Sequence, residues 1–111
     1  MPTMHDSFHV YGESLASVRV VHVIGCLARA DGAAVKRALE RAVDPDLPTH
    51  VVSFAECERV ENGVLEPLTT TLLEVGGRMR VVFPRTLNRA PLVRAQIDVH
   101  DDFSSALRGV E

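Results

Sequence analysis

Apolar positions fall into short β-type runs separated by amphipathic, helix-type stretches. Phe8 and Val10 alternate with polar neighbours, which predicts a strand over Ser7 to Gly12. Gly12-Glu13-Ser14 is expected to turn the chain. Val18 to Ile24 is rich in β-branched residues and is apolar on both faces apart from Arg19 and His22. It predicts a central strand, paired with the first as a hairpin and ended by Gly25. Asp31 to Val43 places Val35, Ala38, Leu39, Ala42 and Val43 on one stripe and Lys36, Arg37, Glu40 and Arg41 on the other, a helix that Asp31 can cap. Pro45 and Pro48 stop it.

His50 to Phe54 predicts a third strand, followed by a charged connector from Glu56 to Glu61. Val64, Leu65, Leu68, Leu72 and Val75 form the stripe of a second helix closed by Gly76-Gly77. Pro67 requires either a later start to this helix or a distorted first turn. Arg80 to Phe83 predicts a strand ended by Pro84. Asn88 can cap a short helix carrying Leu92 and Val93, and Ile97 to Val99 predicts a last strand. Asp102 caps a closing helix with Phe103, Ala106, Leu107 and Val110 on one face. The alternation after the hairpin predicts an α/β fold: a mixed, mostly parallel sheet with an N-terminal β-hairpin and about four helices. Working loops are then expected at the strand carboxyl ends: Gly25 to Ala30, Ala55 to Asn62 and Pro84 to Asn88.

Composition narrows the class. A chain of 111 residues supports one domain, expected over residues 7–111 after a polar, frayed start at residues 1–6. Its hydrophobic fraction of 46% suits a packed core. No apolar run approaches the roughly 18 residues of a membrane span, and no secretory leader is visible. A cytoplasmic protein is expected. The net charge of −3 and scattered arginines argue against nucleic-acid binding. Cys26 and Cys57 are too few for a disulfide scaffold and read as reduced thiols.

Several chemistries lack their residues. Neither a dinucleotide GxGxxG nor a phosphate-binding GxxxxGK[ST] is present. The histidines His5, His9, His22, His50 and His100 show no metal-site spacing, so neither a metal nor a cofactor is expected. His22 reads as a satisfied core or edge histidine. Glu56, Cys57, Glu58 and Glu61 form one dense polar cluster. Carboxylates beside Cys57 raise its thiol pKa, so recognition of a basic partner is favoured over thiol catalysis.

The order and spacing of these segments resemble the STAS domain of bacterial anti-sigma factor antagonists. The resemblance runs from about Phe8 to Leu107. It rests on Val23-Ile24-Gly25-Cys26-Leu27, Val51-Val52-Ser53-Phe54, Val60-Glu61-Asn62-Gly63-Val64-Leu65 with Leu68 and Leu72, Gly77 to Pro84, and Asp102 to Leu107. It implies a non-catalytic partner-switching module of transcription regulation. The implied partner is an anti-sigma factor or sensor-kinase-like ATPase, docking on Glu58, Arg59, Glu61, Asn62, Gly63, Val64 and Leu65. Val64 and Leu65 would supply apolar contact, and Arg59 and Glu61 charge. In phospho-switched members a Ser at the second helix start accepts phosphate. Here Asn62 and Gly63 take the two Ser positions, Ser53 replaces the strand Asp and Ala28 the acid after Gly-x-Leu. Control by phosphorylation at that site is therefore not expected, with Ser53 and Thr69 to Thr71 as fallback acceptors. The alternatives are a STAS subunit of a transporter or lipid-transport ATPase, and a small ligand-binding or thiol-dependent α/β protein. A homodimer is compatible with the chain.

Overall fold

The computed structural model describes residues 8–75 and 78–108. The frayed start, the Gly76-Gly77 helix stop and Val110 lie outside the described residues. Five strands, β1 (Phe8–Leu15), β2 (Val18–Leu27), β3 (Thr49–Val60), β4 (Arg78–Val82) and β5 (Asp98–His100), form one sheet in sequential order. The β1–β2 hairpin is antiparallel and every later pair is parallel. Among the described residues four α-helices accompany it: α1 (Gly32–Ala42), α2 (Leu65–Glu74), α3 (Ala90–Arg94) and α4 (Phe103–Leu107). A 3-10 turn, Arg29–Asp31, precedes α1.

Sequential strand order with right-handed crossovers places α1, α2 and α3 on one face of the sheet. The main core lies there. Val35 and Leu39 of α1, Leu68 and Leu72 of α2 and Leu92 of α3 cover Val21, Val23, Val52, Phe54, Val81 and Phe83. Phe54 and Phe83 meet edge to face with ring centroids 5.3 Å apart. α4 returns over the opposite face and closes a smaller core, with Ala106 against Val18, Val20, Val51 and Val82.

Local expectations are corrected at three places. The hairpin turns at Ala16-Ser17, with Ala16 at φ 56°, and Gly12 to Ser14 remain in β1. Gly12 is set there by crowding: a Cβ would come within 2.7 Å of the Arg19 guanidinium and 2.9 Å of the Ala42 carbonyl oxygen. Asp31 does not cap α1. Its carboxylate turns back to accept from the Ala28 N–H at 3.0 Å. Pro67 meets the first of its two expectations: α2 starts later, at Leu65, so Pro67 is its third residue, where its missing N–H has no intrahelical acceptor to lose.

The third correction concerns the charged connector, which is strand. β2 runs past Gly25 to Leu27, and β3 runs through Glu56 to Val60 beside it. Two register shifts give β3 two extra residues against β2, between His22 and Ile24 and between Gly25 and Cys26. Each shift resets the in–out alternation. Phe54, Cys57 and Val60 consequently face the main core, while Glu56, Glu58 and Arg59 are exposed.

Candidate functional site

The extended ends of β2 and β3 carry two loops to one end of the sheet: the 3-10 turn at Arg29–Asp31 and the segment from Glu61 to Val64. Glu61 joins them. Its N–H donates to the Leu27 carbonyl at 2.9 Å, and its carboxylate Oε1 accepts from the Arg29 N–H at 2.8 Å. The Val64 N–H then donates to the Glu61 carbonyl at 3.3 Å as the chain turns into α2. Gly63 makes this turn at φ +91°, a conformation that favours glycine. A Cβ at Gly63 would stand 3.2 Å from Arg29 Nε.

Glu58, Arg59, Glu61, Asn62 and Gly63 are all exposed around this end of the sheet. Val64 and Leu65 are not. They are 0% and 3% exposed and belong to the main core. The expectation that they offer apolar contact to a partner is corrected: the stripe starting α2 faces inward, so the loop surface is polar. Glu66, exposed in the first turn, adds negative charge where the helix dipole favours it.

Beside the loop lies an open depression of about 210 Å³, lined by Glu61, Asn62 and Gly63 on one side and Asn88, Pro91 and Arg94 on the other. Arg94 approaches Glu66 to 3.9 Å. Arg29 and Arg94 were not among the sequence candidates. They lie 32 and 33 positions from Glu61 along the chain, and the chain topology alone brings them to the loop.

Cys57 is buried, and its thiol donates to the Val23 carbonyl at 3.3 Å. Burial, with a smaller contribution from nearby Cys26, pushes its pKa to about 12. The neighbouring carboxylates, expected to do this, are not the cause: the bulged strand turns Glu56 and Glu58 outward. A thiol held neutral in the core is no nucleophile. Cys26 is half-buried, with Sγ 4.0 Å from Glu58 Oε1.

The fallback acceptors are poorly placed as a group. Ser53 is 3% exposed, and its Oγ accepts from the Ala55 N–H at 3.1 Å. Thr71 is buried, and Thr69 donates to the Glu66 carbonyl at 2.7 Å. Only Thr70 of the three is exposed. His22 is partly buried, stacks on Tyr11 at 4.7 Å and lies 2.8 Å from Glu13. Among the described residues no cluster of three or more His, Cys, Asp or Glu could hold a metal, and no helix is long and apolar enough to cross a membrane.

No protein-family model and no curated protein matches this chain. Solved structures do. An anti-sigma factor antagonist from Mycobacterium paratuberculosis superposes with a TM-score of 0.74 at 21% identity, covering 98% of each chain. The anti-sigma factor antagonist SpoIIAA in its unphosphorylated form gives a TM-score of 0.53 at 16% identity, covering 94% of this chain and all of that one. The fold is therefore STAS-like over the length of the chain.

Proposed function

We propose that this chain is a non-catalytic, cytoplasmic regulatory module that docks an anti-sigma factor or a sensor-kinase-like ATPase. The observation that carries the proposal is the end-to-end likeness of its fold to anti-sigma factor antagonists. The exposed polar loop at Glu61, Asn62 and Gly63, with Glu58 and Arg59 beside it, is the docking surface. Recognition there is polar, because Val64 and Leu65 are committed to the core.

The loop carries no hydroxyl at Asn62 or Gly63, so binding is not switched by phosphorylation at that turn. Here the surface stays constitutively competent. Electrostatics then sets partner choice: Glu58, Glu61 and Glu66 favour a partner with complementary basic groups.

Affinity capture from native lysate tests the proposal, with wild type and Asn62→Arg, which sets a positive charge against a basic partner, as parallel baits and mass spectrometry as the readout. Recovery of an anti-sigma factor or sensor-kinase-like ATPase with wild type, and its loss with Asn62→Arg, supports the reading. Capture of transporter or lipid-transport ATPase subunits instead, or of the same proteins by both baits, contradicts it.

A further inference from the structure

The two edges of the sheet are built differently. β5 is three residues long and carries Asp98 and His100, a short and charged edge that resists pairing. β1 is eight residues long, contains no Lys or Pro and pairs with β2 without a bulge. Among the described residues no strand pairs with its outer side. Two exposed large hydrophobic side chains, Tyr11 at 48% and Leu15 at 49%, stand on it.

The hairpin fixes which backbone groups point outward. Leu15 and Val18 flank the two-residue turn, so they form a hydrogen-bonded pair. Such pairs recur at every second residue of an antiparallel ladder. His9, Tyr11 and Glu13 thus direct their N–H and C=O to β2. Phe8, Val10, Gly12 and Ser14 direct theirs away from the sheet.

We infer that β1 is a self-association edge: two copies of this chain pair through antiparallel β1 strands about a two-fold axis at Tyr11. In this register Phe8 faces Ser14 and Val10 faces Gly12 of the second copy, so the outward groups of all four residues are paired. His9 of each copy stands opposite Glu13 of the other, two matched imidazole–carboxylate pairs on one face. Glu13 uses Oε2 toward its own His22, which leaves Oε1 for the second copy. A shift by one residue would turn core-facing side chains to the wrong face. Moving the pairing centre by one residue to Val10 or Gly12 sets Tyr11 against His9 or Glu13 and loses both imidazole–carboxylate pairs. The result is one continuous sheet with an isologous interface, which closes at two copies. This edge is separate from the proposed docking loop and does not depend on it.

Analytical ultracentrifugation over a concentration series tests the inference. The wild-type mass is expected to climb from 12.1 kDa toward twice that value. Val10→Pro removes an outward N–H and no intramolecular hydrogen bond, so it should raise the dimer dissociation constant roughly tenfold or more. His9→Glu, an exposed substitution that opposes Glu13, should weaken it by a similar factor, whereas His9→Lys should keep it. Circular dichroism checks that each variant is folded. If Val10→Pro fails that check, the two His9 variants decide. A wild type that stays monomeric at its highest soluble concentration overturns the inference. So does a dimer indifferent to Val10→Pro and to the charge at position 9.

Discussion

The Arg29 backbone N–H donates to the Glu61 carboxylate at 2.8 Å, across 32 residues of sequence. The contact ties the turn before α1 to the loop before α2 and sets the shape of the exposed end of the sheet. Glu61→Ala should cost about 1 kcal/mol, one exposed charge-assisted hydrogen bond. Glu61→Gln keeps an acceptor oxygen and should cost less. Denaturant titration measures both, and faster amide exchange of Arg29 in Glu61→Ala alone would locate the effect.

Gly63 makes the loop turn at φ +91° beside Arg29. Gly63→Ala should destabilise by about 1–2 kcal/mol, the cost of placing a Cβ in left-handed backbone. Gly63→Asn, whose side chain tolerates positive φ better, should cost less. Equal stability of Gly63→Ala and wild type in urea would show that the turn is not constrained.

Cys57 should resist thiol reagents in the native protein, since burial holds its pKa near 12. Labelling with a thiol-reactive chromophore at pH 8, followed by peptide mapping, should leave Cys57 unmodified until denaturant is added. Rapid native labelling of Cys57 would show that β3 opens at its bulged end.

His50 is fully buried, and its Nε2 accepts from the Asp44 N–H at 3.1 Å. Burial lowers its pKa below the ordinary imidazole value, with smaller opposing help from Asp44. The folded state then binds the proton less readily than the unfolded chain. Its contribution is complete above about pH 6.5 and is lost as pH falls from there toward the folded value. Thermal melts should show stability dropping as the pH falls below about 6.5. His50→Gln retains an acceptor near Nε2 without titrating and should flatten that slope. An unchanged slope would assign the loss to other groups. Asp101, whose pKa the Arg89 hydrogen bond lowers, acts only at more acidic pH.

Strand and helix stripes carried most of the architecture at the level of sequence. Val18 to Ile24 announced a central strand, the Val35–Leu39–Ala42 stripe α1, and Asp102 capped α4 through the Ser105 N–H at 2.8 Å. The end of β3 was illegible for a physical reason. Its inward residues Phe54, Cys57 and Val60 recur every third position because two bulges interrupt the strand period of two. A charged strand with that spacing reads as a connector. Val64 and Leu65 were recognisable as helix stripe, yet their burial excludes the contact role first assigned to them. Arg29 and Arg94 reach the loop only through tertiary packing, which no local pattern records.

The loop from Glu61 to Gly63 is the proposed docking site for a regulatory partner. Hydrogen–deuterium exchange of the chain, alone and saturated with the captured anti-sigma factor or kinase-like ATPase, addresses it most directly. Slowed exchange confined to residues 28–31 and 61–67 is the predicted result. Protection elsewhere, with this loop exchanging at its free rate, would contradict the account.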